Sequence, residues 1–459
     1  MKPPLRVDVE AVVDGAPFSR LQKRTLAICI AIAILDGFDV QSIGFAAPAI
    51  AKDWGLPVSA FGLVFSAGLV GMMLGGMAFG PIADRIGRRK VILLCTVGVA
   101  VFTLLQTIAP NVETLLALRF VCGIGLGGLT PNLIALASEY APARRRSTVV
   151  TVVVSSMSLG GMVGGFLAAY LIPHYGWRTV FAAGGVLTLI ILLIAWRALP
   201  ESIRFLAVTG QNERAAKILG RLAPAVQADA TKSAFVLPEK AIRRSPVRTL
   251  FTEHRSVVTI LLWIVFGMNL FVAYFLLNWM PSLFTAAGLS ASLALVATSL
   301  YNFGGVVGGV TIGLIADYRR SATGILAASY LIAAVSIAAT ATAIGNTALM
   351  LIALFVVGFG ISGGQTGISA VGADVYPTVA RSTGLGWAYG VGRVGSIIGP
   401  LVGGFLIAAG LASTTIFSLT IIPTILAAVG IVLLAVRRRN MRITGQSIEP
   451  PSVDRQLQS

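Results

Sequence analysis

Residues 80–90 read Gly80-Pro81-Ile82-Ala83-Asp84-Arg85-Ile86-Gly87-Arg88-Arg89-Lys90, five charges in eleven positions. The chain on either side is apolar: residues 58–82 and 91–109 contain no Asp, Glu, Lys or Arg. Each flank matches the roughly 20 residues a helix needs to cross a bilayer core. Lipid offers no partner to an unsatisfied peptide group, so such a crossing has to be helical. The charged stretch is then a short turn at a membrane face, and its surroundings predict an integral membrane protein.

Working outward with that span length, apolar runs fall at 24–48, 58–82, 91–109, 112–138, 147–172 and 178–199. Six more follow at 256–284, 291–316, 322–344, 347–374, 382–408 and 413–436. The organisation predicted is an N-tail 1–23, a six-helix bundle 24–199, a linker 200–255, a second six-helix bundle 256–436 and a C-tail 437–459. Within the linker, Asn212 to Leu222 has the periodicity of a helix lying along the inner face.

Positive charge is sorted between the two sides. Of 35 Lys and Arg, 31 fall on the tails and one set of alternate loops; Lys52 and Arg178 fall on the other set. Arg119 and Arg393 lie inside spans. Loops rich in Lys and Arg stay cytoplasmic, so both tails and the linker are predicted there.

Composition agrees with a lipid-facing protein. Hydrophobic residues make up 56% and charged residues 12%, against about 25% charged in soluble domains. The net charge of +17 sits in short clusters between apolar runs, which excludes a nucleic-acid partner as its explanation. Cys29, Cys95 and Cys122 all fall within apolar runs and make neither a disulfide framework nor a metal set. The first 20 residues lack an apolar run with a cleavage site, so no cleavable leader is expected. Gly358-Phe359-Gly360-Ile361-Ser362-Gly363 has dinucleotide-loop spacing but lies in an apolar span with no strand before it. With no nucleophile–base pair, metal set or phosphate loop, the chain is read as neither an enzyme nor a cofactor protein.

The chain also repeats itself. Gly123, Gly125 and Gly128 recur as Gly358, Gly360 and Gly363; Glu139, Pro142 and Arg146 recur as Asp374, Pro377 and Arg381; Gly160 and Gly164 recur as Gly395 and Gly399, all at an offset of 235. Gly80 to Asp84 recurs as Gly313 to Asp317. Because six is even, the two copies keep the same orientation. Parallel repeats of this kind build secondary transporters with a site near the bilayer midplane. The fold class is therefore all-α integral membrane, twelve transmembrane helices in two pseudo-symmetric six-helix bundles.

At this point the motifs become specific. The stretch 80–90 resembles the signature loop of the major facilitator superfamily, and Gly313 to Arg320 sits where that fold has its weaker copy. Arg119-x3-Gly123-x-Gly125-x-Gly127 resembles the fourth-helix motif of proton-coupled members; Pro200-Glu201-Ser202-Ile203-Arg204 resembles another family motif, with Ile203 where Pro is usual. Asp36-Gly37-Phe38-Asp39-x-Gln41, together with Glu139-Tyr140 and the run Gly386-Trp387 to Arg393, is similar to the aromatic acid:proton symporters. The resemblance implies proton-driven import of an aromatic acid by alternating access, at a bacterial inner membrane, by a monomer whose partners are the acid, protons and lipid. It also implies inner-gate contacts for Asp84, Arg85, Arg88, Glu139, Arg146 and Asp317.

The charges inside spans carry the chemistry. An intramembrane carboxylate costs at least about 2.5 kcal/mol and is functional by default. Asp36 and Asp39, three residues apart, share a helix face. Arg119 lies at nearly the depth of Asp39, so Asp39 is its expected partner and Asp36 sits one turn deeper. Protonation of the carboxylate would break that pair and link proton occupancy to helix packing. Arg393 has no carboxylate in its own span; its guanidinium is a planar fork suited to a substrate carboxylate. Phe38, Gln41, Asn132, Tyr274, Asn278, Tyr301, Asn302, Trp387 and Tyr389 could complete a pocket for a planar ring. A symporter for a non-aromatic organic acid, and a non-transporting receptor on the same fold, are the alternatives.

Overall fold

The computed structural model of the chain describes residues 5–15, 18–222, 233–236, 247–251, 256–319, 323–343, 345–376 and 381–443. Twelve helices are long and apolar enough to cross a membrane. The first six are Arg20–Trp54, Val58–Ile86, Arg88–Gln106, Val112–Tyr140, Ala143–Tyr175 and Arg178–Ala198. The second six are Ser256–Ala286, Ala291–Ile315, Thr323–Thr342, Thr347–Gly372, Thr383–Ala408 and Ser413–Arg437. They are called spans one to twelve below.

Several helices outrun their apolar runs because capping chemistry, not hydropathy, sets their ends. Span one starts at a capping box, in which Ser19 Oγ accepts from Gln22 N (3.2 Å) and Gln22 Oε1 accepts from Ser19 N (2.7 Å). It stops at Gly55, whose φ of 64° suits glycine. Span four begins at Asn111, which accepts from Thr114 N at 2.9 Å. Span ten begins at Asn346, 235 residues later, which accepts from Leu349 N at 3.2 Å. The repeat therefore extends to the helix caps.

Two features depart from the sequence expectation. Span ten, expected as one helix over 347–374, carries an irregular turn at Ser362 and Gly363 between Thr347–Ile361 and Gly364–Val375, where Gly363 N bonds the Gly358 carbonyl five residues back (3.2 Å) and the backbone stays right-handed helical. The N-tail and linker, for which the sequence suggested only the helix Asn212 to Leu222, form a parallel strand pair between Leu5–Asp8 and Ser233–Val236. Helix Val9–Gly15 follows the first strand and buries Val9 and Val13; helix Asn212–Leu222 buries Ala215, Leu219 and Leu222. Pro377, most of the linker beyond Leu222 and the tail beyond Ile443 lie outside the described residues.

Contacts divide the chain into two units, Met1–Lys240 with Phe284–Ser299, and Ala241–Leu283 with Leu300–Ser459. Within each unit glycines let helix backbones approach closely. Gly160 in span five meets the Ile34 backbone in span one, and Gly37 answers from span one against Met157. Gly123 and Gly127 press span four onto Gly68 and Met72 in span two, while Gly125 faces Cys95 and Val99 in span three. The second unit repeats the scheme. Gly358 meets Tyr301 in span eight, Gly360 meets Ser329 and Ala333 in span nine, and Gly395 meets Gly267 in span seven. Small residues allow such contact where lipid supplies no hydrophobic drive between helices. Outward, Phe405 (73% exposed), Val335 (71%) and Leu63 (62%) project large apolar side chains, a surface that only lipid solvates well.

Candidate transport site

In the first unit, Asp39 and Arg119 meet inside the bundle, 1% and 3% exposed. Arg119 Nη1 lies 3.6 Å from Asp39 Oδ2 and donates at 2.9 Å to the Asp39 carbonyl. Its Nη2 donates to Ser42 Oγ at 2.5 Å, and its plane lies over the Phe181 ring, 5.4 Å from the centroid. Thr103 Oγ1 donates to Asp39 Oδ1 at 2.7 Å, and Cys122 Sγ to Oδ2 at 3.1 Å. Asp39 thus collects donors from spans three and four. Asp36, 2% exposed, takes a separate donor, Thr130 Oγ1 at 2.8 Å.

This geometry refines the coupling idea. The guanidinium hydrogen-bonds a main-chain carbonyl and a hydroxyl, and touches the carboxylate only as an ion pair. Protonation of Asp39 would therefore loosen Arg119 without releasing it. A protonated carboxyl gains an O–H donor while keeping acceptor lone pairs, so the bonds from Thr103 and Cys122 have to rearrange around a new donor.

The second unit holds the other intramembrane arginine. Arg393 Nη1 donates to Tyr274 OH at 3.4 Å, and no carboxylate faces it among the described residues. Asn278 Nδ2 donates to the Tyr274 carbonyl at 2.7 Å. Tyr389 OH shares a 2.6 Å hydrogen bond with Ser369 Oγ and packs its ring 4.7 Å from Phe266. Trp387 stacks on Trp263 at 6.1 Å and remains 45% exposed.

The other expected pocket residues are dispersed. Phe38 sits in a buried cluster with Phe45, Ala168, Val180 and Leu295, where a Cβ on Gly164 or Gly184 would strike its ring. Gln41 is buried against Gly161. Asn132 Nδ2 turns back to the Gly128 carbonyl of its own helix at 2.8 Å. Tyr301, fully buried, accepts from Ser362 Oγ at 2.9 Å, and Asn302 is buried beside it in sequence.

The expected inner-gate residues occupy the far end of the first unit. Arg88 pairs with Glu139, and Ser202 Oγ donates to Glu139 Oε2 at 2.5 Å. Glu201 Oε1 accepts from the backbone N–H of Arg89 and of Ser202, both at 2.9 Å. Arg89 lies in the first turn of span three, where unpaired N–H groups favour a carboxylate. Gly87 precedes it with φ of 102°, and a Cβ there would collide with Glu201. A cavity of about 160 Å³ is lined by Arg88, Ser138, Glu139, Arg146 and Arg204, with Val9 and Val13 from the N-terminal helix. Asp84 and Arg85 are exposed, and the Asp317 side chain lies outside the described residues. Glu201 and Ser202 were not expected among the gate residues, although the Pro200-Glu201 motif pointed to them.

Residues 29–343 and, overlapping them, 262–454 match the Major Facilitator Superfamily. The chain belongs to that superfamily. A gallate transporter of Pseudomonas putida is 38% identical over 94% of this chain and 96% of its own length. The 4-hydroxybenzoate transporter PcaK of Acinetobacter baylyi is 36% identical over 93% of each, and a benzoate transport protein of the same organism 32% over 94% and 93%. Among solved structures, the xylose transporter XylE from E. coli superposes with a TM-score of 0.69 at 16% identity, covering 90% of this chain and 97% of that one. At that identity the likeness speaks for the fold alone. Within the superfamily, this major facilitator protein groups with transporters of aromatic acids. It is a multi-pass bacterial membrane transporter, not an enzyme.

Proposed function

We propose that this transporter imports an aromatic carboxylate of the benzoate or hydroxybenzoate type by proton symport with alternating access. One contrast carries the reading. Of the two intramembrane arginines, Arg119 has its own carboxylate, and Arg393 meets a phenol and no carboxylate among the described residues. A half-buried intramembrane guanidinium without an anion is a site for one, and its fork fits a carboxylate. Asp39, with Asp36 a turn away, is the proton carrier, and Arg119 registers its charge. Tyr274, Trp387 and Tyr389 supply aromatic and hydroxyl surface around Arg393. The sorting of Lys and Arg among the loops supports both termini on the cytoplasmic face of a bacterial inner membrane, and a single chain suffices.

The test is uptake of labelled benzoate and 4-hydroxybenzoate into proteoliposomes under an inward proton gradient. Accumulation is expected, abolished by a protonophore, by Asp39→Asn and by Arg393→Ala. Asp39→Asn should still exchange substrate across the membrane without a gradient, because it removes the proton and not the acid's partner. Carriage of aliphatic acids in place of aromatic ones would overturn the substrate class.

A further inference from the structure

We infer that Gln365 contacts the substrate: its amide N–H donates to an oxygen carried on the ring of the aromatic acid, and so selects oxygenated rings over bare ones. The inference rests on the reading of Arg393 as the carboxylate's partner. Gln365 Nε2 is buried and no acceptor faces it among the described residues, a donor that is costly to leave unmade. The amide is held in place from behind. Asn269 Nδ2 donates to Gln365 Oε1 at 2.5 Å, and Tyr330 OH donates to Asn269 Oδ1 at 2.7 Å. Asn269 and Tyr330 are themselves 1% and 0% exposed.

Position then links this donor to Arg393. Ser369, one turn beyond Gln365 in span ten, meets Tyr389 of span eleven, and Arg393 is one turn beyond Tyr389. Spans ten and eleven are consecutive and antiparallel, and Gln365 precedes Ser369 whereas Arg393 follows Tyr389. Both residues therefore lie about 6 Å along their axes from the Ser369–Tyr389 contact, in the same direction. The guanidinium fork can take both oxygens of a carboxylate, which leaves the amide for a different oxygen on the same molecule.

The internal repeat supports the assignment. Thr130 stands 235 residues before Gln365 and donates to Asp36 of span one. Gln365 meets Asn269 of span seven, the repeat counterpart of span one. The same position serves an intramembrane carboxylate in one unit and presents a vacant donor in the other.

The experiment uses the full chain in proteoliposomes with an inward proton gradient. KM is measured for benzoate, for the 2-, 3- and 4-hydroxybenzoates and for their methyl ethers, with the unmodified protein and with Gln365→Met. The unmodified protein should prefer at least one oxygenated acid over benzoate by about tenfold or more. The matching methyl ether should keep much of that preference, since its oxygen only has to accept. Gln365→Met, of similar length, should raise KM for that acid about tenfold and leave benzoate within about twofold, a change worth about 1.4 kcal/mol. Equal loss for benzoate and oxygenated acids, or no loss, overturns the inference. If Gln365→Met fails to fold, the unmodified series decides, and absence of any preference overturns it. Failure to carry any aromatic acid would instead defeat the proposed function.

Discussion

At the level of single residues, the first unit presents a carboxylate whose partners come from two neighbouring helices. Asp39 accepts from Thr103 and Cys122 and lies beside Arg119. A hydrogen bond to a charged group contributes about 1.5–3 kcal/mol. Thr103→Val and Cys122→Ala should therefore each lower gradient-driven uptake roughly tenfold or more, with gradient-free exchange preserved; loss of both activities would mean general misfolding instead. The carboxylates and arginines were legible in the sequence because a charge inside an apolar run has few structural explanations. Thr103, Cys122, Thr130 and Gln365 were not. Hydroxyls inside spans ordinarily bond back to their own helix, as Thr96 does to the Ile92 carbonyl (2.7 Å) and Ser156 to the Val152 carbonyl (2.7 Å). Nothing in a sequence separates those from the ones that reach across to another span.

At the level of helices, contact between backbones holds each unit together, and it is position-specific. A Cβ on Gly160 would strike the span-one backbone at Ile34, whereas one on Gly98 meets nothing within 4 Å. Gly160→Leu is expected to lower the melting temperature of the solubilised protein by several degrees or prevent its expression, since overpacking costs about 1–3 kcal/mol and backbone yields less than side chains. Gly98→Leu should be near neutral in the same melt. Gly160 and Gly164 stand at G-x-x-x-G spacing, the pattern that favours close helix contact in a membrane. The irregular turn in span ten was not readable, because Gly123 and Gly358 open equivalent glycine runs and span four stays regular through its copy. Hydropathy reports whether a segment suits lipid and says little about where its hydrogen-bond ladder is interrupted.

At the level of the whole chain, the twelve spans and their repeat followed from apolar run lengths and one recurring offset. The tail–linker association did not, since four-residue strands carry too little pattern to distinguish from a polar loop. Asp14 Oδ1 accepts from Ala143 N at the start of span five (2.7 Å), so the tail also caps a spanning helix. Removal of residues 1–15 should leave transport measurable and expose the linker to trypsin, with cleavage between residues 200 and 255 several-fold faster than in the full chain. Unchanged cleavage would show that the tail does not shield the linker.

The pairing of Leu5–Asp8 with Ser233–Val236 also sets an order of events during biogenesis. The two strands are separated by more than two hundred residues of chain, six of whose helices enter the membrane first. At about 5–20 residues per second, the first strand leaves the ribosome roughly 10–45 seconds before its partner exists. During that interval the nascent tail must wait without its partner, and a bulky amino-terminal fusion would obstruct a step that closes only after half the protein has been threaded.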